Sequence, residues 1–345
     1  MSMTEGTANR SPVMADVARV AGVSHQTVSR VLNDHPNVRT ATRERVLAAI
    51  DQLGYRRNLS ARALVTRRTN TLGVVAFDTT LYGPASTLFG IEQAARDAGY
   101  FVSIVSLKTI TRTSVDEALD YLTAQAVDGM IAIAPQVEAA AAVSRLPSHV
   151  PVVAVEGGEA GATPVVAVDQ VAGAELATQH LLDLGHRTVW HVAGPADWLE
   201  ADGRAKGWRA TLERAGVAAP QLIRGDWSPL SGYEAGRAIA ADRDATAVFV
   251  GNDQMALGLL RAFAEAGIRV PGDISVVGFD DIPEAEFFGP PLTTVRQDFA
   301  EVGRKSIGLV LQLIESGSNG RDHPQRIVVP PTLVTRQSTA PPATA

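Results

Sequence analysis

Apolar residues between positions 15 and 33 recur every three or four residues, in two short stretches separated by Gly22. This spacing places the apolar side chains on one face of each of two helices. Asp16 offers a carboxylate suited to the start of the first helix, and Ser24 a hydroxyl suited to cap the second. Residues 42–53 repeat the spacing and are followed by a glycine, which predicts a third helix. The three helices predict one small all-α headpiece that contains a helix-turn-helix.

The pattern changes at residue 71, where continuous apolar runs begin to alternate with stretches of helical spacing. Valine and isoleucine runs between helices are typical of buried parallel strands, so two successive series predict two doubly wound α/β lobes. The apolar runs cover residues 72–77, 101–107, 129–134 and 151–156, then 188–194, 221–225, 247–252 and 274–280. The helical stretches cover residues 85–98, 114–125, 136–145, 171–184, 199–215, 229–241 and 254–266.

The end of the chain predicts one more helix, over residues 299–315, and two strands, over residues 326–330 and 332–336. We expect the first of these strands to return to the N-terminal lobe, so that the chain crosses between the lobes several times. Two α/β lobes joined in this way leave a cleft between them, which is a usual place for a small ligand.

Composition narrows the class of protein. The 345 residues include no cysteine, and 46% of them are hydrophobic. A chain without thiols has neither a disulfide framework nor a thiolate metal site, which is typical of the cytosol. The first residues lack the apolar run of a secretory signal, and no run approaches the roughly 20 apolar residues that span a bilayer. We therefore expect a cytoplasmic protein that does not contact a membrane.

Charge is distributed unevenly along the chain. Residues 1–68 hold eleven arginines against five acidic residues, a formal charge of +6, and the net charge of −6 leaves −12 for the remainder. A small basic headpiece on an acidic body is typical of a DNA-binding module attached to a domain with another role.

The face of the second helix opposite its apolar residues carries His25, Gln26, Ser29 and Arg30. Side chains at the start of such a helix contact base edges when the helix lies in the major groove. A small amphipathic helix pair with a solvated polar face is the alternative, and the basic charge of the region favours DNA.

Polar side chains also stand where predicted strands of both lobes end, at the edge where doubly wound sheets bind their ligands. Carboxylate, amide and guanidinium groups beside an indole suit a sugar, whose hydroxyls need donors and acceptors and whose apolar face stacks on aromatic rings. The candidate residues are Glu156, Arg204, Trp227, Asn252, Asp253, Asp280 and Asp281.

Each candidate also has a structural interpretation. Asp253 precedes a helix and is suited to cap it, while Asp281 is suited to close a turn. Trp227 would be ordinary as a core residue, and Arg204 would be ordinary as a solvated surface charge. The joint placement of these groups at strand ends favours a ligand site.

No pattern in the sequence indicates catalysis. It contains no G-x-S-x-G elbow, no histidine pair at i, i+4 with a glutamate, and no phosphate-binding glycine loop after a strand. His180 and His186 flank a helix end, where a histidine interacts favourably with the helix dipole. We therefore predict that the protein is not an enzyme and holds no metal or cofactor.

Several longer motifs are specific to one family: DVARVAGVSHQTVSRVLN, GHRTVWHVAGP, GDWSPLSGY, NDQMALG, DISVVGFDDIP and PPLTTVRQDF. From residue 13 to about residue 337 the chain resembles the lactose-repressor (LacI/GalR) family of bacterial transcription regulators. The resemblance implies a homodimer with paired headpieces on a pseudo-palindromic operator. It also implies a periplasmic-binding-protein-like core of two lobes, with a sugar in the cleft that alters the affinity for the operator.

The resemblance implies a domain order as well. The segment 58–66 is shorter than the roughly 12–15 residues that an isolated helix needs, so we expect this hinge helix to order only against a partner. The predicted parts are a disordered tail (1–12), the headpiece (13–57), the hinge helix and linker (58–70), an N-terminal lobe (71–168 with 299–326), a C-terminal lobe (169–298 with 327–338) and a disordered tail (339–345).

Individual roles carry over from the family to matching positions. The base-reading positions fall on His25, Gln26 and Arg30, and Leu64 becomes the hinge residue inserted into the minor groove. The full set of expected DNA contacts is Ser24, His25, Gln26, Thr27, Ser29, Arg30, Asn33, Tyr55, Asn58, Ala61 and Leu64. The expected ligand contacts are Leu81, Glu156, Arg204, Trp227, Asn252, Asp280, Gln297 and Phe299, which leaves Asp253 as the helix cap.

The sequence departs from the family pattern at a few positions. His25 stands where the namesake of the family has tyrosine, which predicts a related but different operator. Arg57 replaces the common proline before the hinge, Glu156 stands where the namesake has aspartate, and Phe77 replaces a small polar residue on the cleft wall. No leucine heptad repeat follows residue 320, so we expect a dimer.

These observations predict a DNA-binding repressor of a sugar-utilisation operon that a galactoside, or a related mono- or disaccharide, releases from its operator. A regulator with a corepressor such as a purine would have the same architecture. A sugar-binding protein would share the core but not the basic headpiece, and an enzyme on an α/β fold would need a reactive constellation.

Overall fold

The computed structural model describes residues 12–56, 68–77, 79–107, 111–143, 150–156, 163–242, 244–319 and 324–343. Contacts divide the chain into two compact units, Met1–Thr69 and Asn70–Ala345, and each has its own apolar core. The predicted hinge segment 58–66 and nearly all of the predicted N-terminal tail lie outside the described residues.

The described part of the first unit is the predicted set of three helices: α1 (Met14–Ala21), α2 (His25–Leu32) and α3 (Thr40–Leu53). Their apolar faces meet in one core, formed by Val17, Ala18, Ala21, Val28, Val31, Val46, Ala49 and Tyr55. The helical spacing of the sequence therefore predicted the buried faces of α1 and α2. On α3 it predicted Val46, but Leu47, which shares the apolar spacing, is exposed.

Local hydrogen bonds set the ends of these helices. Asp16 accepts the N–H of Val13 at 3.0 Å from within the first turn, so α1 begins before Asp16 and not at it. Gly22 adopts a φ of 62°, a left-handed conformation that favours glycine, and ends α1. Ser24 Oγ accepts the N–H of Thr27 at 3.1 Å and begins α2, as the sequence predicts.

The second unit contains two α/β lobes. In chain order its elements are β1 (Thr71–Phe77), α4 (Tyr82–Asp97), β2 (Phe101–Leu107), α5 (Arg112–Ala124), β3 (Gly129–Ile133), α6 (Val137–Val143), β4 (Val152–Val155), β5 (Val165–Val168), α7 (Gln170–Asp183), β6 (Trp190–Ala193), α8 (Leu199–Arg214), β7 (Ile223–Arg224), α9 (Pro229–Ala240), β8 (Ala247–Val250), α10 (Asp253–Glu265), β9 (Ser275–Asp280), a 3₁₀ turn (Pro283–Phe287), β10 (Thr293–Arg296), α11 (Phe299–Ser316), β11 (Arg326–Val329) and β12 (Thr332–Val334).

Each lobe is built on one six-stranded sheet within the described residues. The first sheet has the order β11-β5-β4-β3-β1-β2 and is entirely parallel. The second has the order β12-β10-β9-β8-β6-β7 and is parallel except for the edge strand β12. Both contain the doubly wound order in which the second strand lies outside the first, so a ligand crevice forms at the carboxyl edge of each sheet.

The chain crosses between the lobes at three places: between β5 and α7, between β10 and α11, and between β11 and β12. The strand β11 pairs with β5 in the first sheet, which confirms the expected return of the chain to the N-terminal lobe. Apolar clusters cover both faces of each sheet, so the central strands are buried on both sides, as continuous valine runs predict.

Some boundaries differ from the sequence predictions. The strands β5 and β10 were not predicted, although β5 has the same VVAV sequence as the predicted strand β4. The predicted lobe boundary at residue 326 cuts through β11, which continues to Val329. Residues 339–343 are ordered against the second lobe, since Ala340 donates its N–H to Ser275 Oγ at 3.0 Å. No helix in the described ranges is long and apolar enough to cross a membrane.

Candidate functional site

The polar face of α2 is open to solvent. His25, Gln26 and Arg30 are exposed, whereas Val28 and Val31 anchor the opposite face in the headpiece core. Among the described residues these three side chains have no hydrogen bond or ion pair. Their donors and acceptors are therefore available to base edges or phosphates.

Other predicted DNA contacts have local partners. Ser24 and Thr27 hydrogen-bond to each other through their hydroxyls at 2.9 Å, and Asn33 Nδ2 donates to the carbonyl of Ser29 at 2.9 Å. Tyr55 lies apart from this face and is buried in the headpiece core, so its contact with DNA stays a prediction. The predicted contacts Asn58, Ala61 and Leu64 lie outside the described residues.

The eight predicted ligand residues all line one cavity of about 290 Å³ between the two lobes. They come from both sheets, mostly from the points where strands end, as the doubly wound topology requires. They are Leu81, Glu156, Arg204, Trp227, Asn252, Asp280, Gln297 and Phe299. The structure brings all eight together, and their binding of a ligand stays a prediction.

Gln170, the first residue of α7, connects three polar side chains that line the cavity. Its Nε2 donates to Gln297 Oε1 at 2.9 Å and to Glu156 Oε2 at 3.5 Å, and its Oε1 accepts from Arg204 Nε at 2.9 Å. Gln297 Nε2 in turn donates to Asp280 Oδ1 at 2.7 Å. The network joins the lobes, because Glu156 belongs to the first and Arg204 and Asp280 to the second.

Arg204 is buried, with only 4% of its surface exposed. Its guanidinium donates to Gln170 and to the carbonyl of Gly251, and lies 3.7 Å from the carboxylate of Asp280. Its Cζ also stands 3.8 Å from the centroid of the Phe279 ring. The interpretation of Arg204 as a solvated surface charge is therefore wrong.

Aromatic rings form the apolar walls of the cavity. The indole of Trp227 meets that of Trp198 edge to face, with centroids 5.7 Å apart. A Cβ at Gly194 would lie 2.1 Å from the Trp227 ring, so only glycine allows the indole to occupy this position. Tyr82 and Phe299 make a second edge-to-face pair at 5.9 Å on the side of the first lobe.

The structure assigns the cap of α10 to Asn252 and not to Asp253. Asn252 Oδ1 accepts an N–H from the first turn of α10 at 2.9 Å, and its Nδ2 donates to the carbonyl of Trp227 at 3.1 Å. The helix cap is therefore Asn252, and the prediction that Asp253 is the cap was wrong. Asp253 is fully buried and accepts from Thr294 Oγ1 at 2.6 Å and from the N–H of Ile282 at 2.9 Å.

Burial changes the acidity of the carboxyl groups in the cavity. It raises the pKa of Glu156 to about 7 and that of Asp280 to about 6, although the charge of Arg204 opposes both shifts. Near neutral pH Glu156 is therefore partly protonated and can donate as well as accept a hydrogen bond, whereas Asp280 is mostly ionised and accepts.

Three of the cavity residues hold unusual backbone conformations. The φ angles are 60° at Glu156, 73° at Trp227 and 108° at Asp280, in a region that residues with a side chain rarely adopt. Each such conformation costs of order 1–3 kcal/mol, and such strain clusters at ligand sites.

Comparison with known proteins agrees with both the helix-turn-helix and the core. Residues 13–58 match the lacI family of bacterial regulatory proteins, and residues 178–339 match the periplasmic binding protein-like domain. The lactose operon repressor of Escherichia coli is 35% identical over 331 residues, which cover 95% of this chain and 91% of that protein. The chain belongs to the LacI family. It is a DNA-binding transcriptional repressor.

Two further comparisons extend this result. The HTH-type transcriptional repressor PurR of Haemophilus influenzae is 33% identical over 330 residues, covering 94% of this chain and 97% of that protein. A crystal structure of the Lac repressor dimer bound to operator and the anti-inducer ONPF matches with a TM-score of 0.83 at 34% identity. That match covers 96% of this LacI-family chain and all of the other.

The residues that sequence reasoning missed in this LacI-family repressor include Trp198, Glu200 and Gln254, which line the cavity. They also include Gln170, which hydrogen-bonds to three of the lining residues. Gln170 follows β5, and the rule that ligands bind beyond strand ends would have found it if β5 had been predicted. Trp198 and Glu200 lie in the connection from β6 into α8, where no local pattern marks a ligand site.

The two histidines interpreted as structural hold the end of the LacI-family core. His180 Nε2 lies 3.0 Å from Thr339 Oγ1, and His186 Nε2 donates to the carbonyl of Ala340 at 3.0 Å. Asp281 has a related role, since it accepts from Arg336 in the same terminal segment at 2.6 Å.

Proposed function

We propose that this repressor acts as a homodimer on a pseudo-palindromic operator, and that a sugar bound between the lobes releases it. The proposed regulator catalyses no reaction. Its proposed sugar is a galactoside or a related mono- or disaccharide.

The headpiece supports the operator part of the proposal. In a helix-turn-helix protein the second helix lies in the major groove, and the exposed side chains of His25, Gln26 and Arg30 stand on that helix. Two headpieces one helical turn apart would read two half-sites, which is why a dimer matches a palindrome. The Lac repressor, a relative of similar fold, is known as a dimer bound to operator.

The single observation that carries the effector part is the convergence of eight polar and apolar side chains on one cavity between the lobes. Arg204, Asp280 and Gln297 present charged and amide groups, while Trp227 and Phe299 present ring faces and edges. Sugars combine hydroxyls with an apolar ring face, so this mixture of walls suits them.

For sugar binding to release the operator, the sugar must bind the state with weak operator affinity more tightly than the state with strong operator affinity. A thousandfold release from the operator corresponds to roughly 4 kcal/mol of preference for the weak-binding state. A ligand that bonds to Glu156 in one lobe and to Arg204 in the other depends on how the lobes are placed. A few hydrogen bonds of about 1 kcal/mol each, well formed in only one state, supply this preference.

The test begins with selection of the operator from a pool of random duplexes. Gel-shift titrations of that operator then measure release by D-galactose, lactose, cellobiose, D-glucose, hypoxanthine and guanine. We expect at least one sugar to weaken operator binding and both purines to have no effect. A panel in which no sugar changes operator affinity would contradict the proposal.

A corepressor is the second candidate, because PurR is nearly as similar to this chain as the lactose operon repressor. The same titration distinguishes the two functions, because an inducer weakens operator binding and a corepressor strengthens it. A purine that strengthens operator binding would replace the sugar-induced release with corepression.

A further inference from the structure

Three side-chain atoms in the cavity are shielded from solvent and have no hydrogen-bond partner among the described residues. They are Trp227 Nε1, Glu200 Oε2 and Gln254 Oε1. A buried polar atom without a partner is unfavourable, and its presence in a cavity indicates a group that a ligand completes. One of the three is a donor and, with an ionised Glu200, two are acceptors.

Glu200 stands out among them because of its position. It lies in the first turn of α8 and lines both the main cavity and a second cavity of about 320 Å³, which also lies between the lobes. Glu156 lines both cavities too, so these two carboxyl groups stand at the boundary between them. The second cavity is also lined by Asp202 and Lys206, which pair with each other at 2.8 Å.

The electrostatic environment of Glu200 is unfavourable for a bare carboxylate. Burial and the charge of Glu156 raise its pKa well above the ordinary value, and Asp280 adds to this effect, while Arg204 opposes it. The guanidinium of Arg204 is already engaged with Gln170 and Gly251. A hydroxyl brought by a ligand would therefore meet an oxygen that the protein leaves unsatisfied, and it can accept from a protonated Glu200 or donate to an ionised one.

We infer that Glu200 is a ligand-contact residue that determines the specificity of the cleft, through a hydrogen bond between its Oε2 and one hydroxyl of the sugar. The inference rests on the proposed function, because it assumes a sugar in this cavity. A hydroxyl both accepts and donates, so a second hydroxyl satisfies the Trp227 N–H and the oxygen of Gln254 together.

The test compares a sugar with its own monodeoxy derivatives. Isothermal titration calorimetry measures the binding of D-galactose, D-glucose and their 2-, 3-, 4- and 6-deoxy forms to the wild type, Glu200→Ala and Glu200→Gln. Glu213→Ala, an exposed site on the same helix, is the matched control. Thermal unfolding of each variant shows that it is folded.

We expect the wild type to bind the parent sugar about tenfold more tightly than one of its deoxy derivatives, the usual effect of one good hydrogen bond. Glu200→Ala should bind the parent sugar about tenfold more weakly than the wild type does. It should bind that deoxy derivative as tightly as the wild type does. Glu200→Gln keeps an acceptor, so its affinity for the parent sugar should lie between those of the wild type and Glu200→Ala. Glu213→Ala should bind every sugar as the wild type does.

Two results would overturn the inference: unchanged affinities in Glu200→Ala, or an equal loss for the parent and every derivative, which indicates only a structural role. A failure of the proposed function has a different signature. In that case the wild type itself binds neither parent sugar, and the inference falls with the sugar assignment.

Discussion

Replacement of Glu156 by glutamine tests whether the cavity holds a carboxyl group at an energetic cost. Burial raises the pKa of Glu156 from the usual 4.5 to about 7. One pH unit between the folded and unfolded pKa corresponds to about 1.4 kcal/mol, so ionised Glu156 lowers the free energy of unfolding by about 3 kcal/mol. Glutamine has the same shape and no charge, and its oxygen can still accept the N–H of Val168, which Glu156 accepts at 2.9 Å.

The sign of the pH dependence follows from the two pKa values. Below pH 4.5 the carboxyl is protonated in both states, so its contribution to stability is complete. As the pH rises towards 7, the unfolded chain loses the proton while the folded protein keeps it, and stability falls. Glu156→Gln should therefore equal the wild type near pH 4.5 and exceed it by about 3 kcal/mol at pH 8.

Urea unfolding followed by circular dichroism at pH 4.5, 6 and 8 measures this difference. Glu117→Gln, an exposed site on α5 of the same lobe, is the matched control and should follow the wild type at every pH. If Glu156→Gln is less stable than the wild type at pH 8, the carboxylate is stabilised by its partners and the burial argument is refuted.

Three further changes test the cleft and the C-terminal segment. Arg204→Ala leaves buried partners unpaired, so the free energy of unfolding should fall by about 3–5 kcal/mol in urea and the sugar response should be lost. Gly194→Ala forces the Trp227 indole to move, which should cost about 1–3 kcal/mol and weaken sugar binding in calorimetry at least ~10-fold. Burial lowers the pKa of His186, so the contribution of this histidine to the free energy of unfolding should fall as the pH drops below about 6.5. Deletion of residues 339–345 should lower the melting temperature at pH 8 by about 2–6 °C and flatten this fall.

Control variants at exposed or open sites accompany the Arg204 and Gly194 changes. Arg209→Ala, exposed on the same helix, should leave stability and sugar response unchanged, and an equally mild Arg204→Ala would show that the buried contacts matter little. Gly289→Ala meets no atom within 4 Å and should be neutral, so sugar binding as tight in Gly194→Ala as in Gly289→Ala would contradict the indole wall. A deletion with an unchanged pH profile would show that the terminal segment does not hold the histidines.

Much of the fold could be predicted because periodicity is a local property. The spacing of Val17, Val28 and Val46 placed three helix faces in one core, and the valine runs placed the central strands of both sheets. Two short strands escaped prediction. The strand β5 has the same VVAV sequence as the predicted β4, so its pattern was available, and missing it hid Gln170 two residues beyond its end.

The candidate site was predictable where one rule was sufficient. Polar residues at the ends of strands converge because parallel strands end at the same edge, and this rule placed Glu156, Asn252 and Asp280 in the cavity. It could not place Trp198 or Glu200, because the direction of a loop and the rotation of α8 decide which side chains face the cavity.

The sequence by itself determined the helices, most of the strands, the basic headpiece and the chemical character of the strand ends, because these depend on neighbours along the chain. Tertiary structure alone decided which polar groups are satisfied and which are left for a ligand. Gln170 and Gln297 are 127 residues apart yet share a hydrogen bond, and Arg204 is a buried cation because Gln170, Gly251 and Phe279, all distant in sequence, pack around it. Burial and partnership are properties of the assembled molecule, so the acidity of Glu156 and the unpaired oxygen of Glu200 could not be read from the chain.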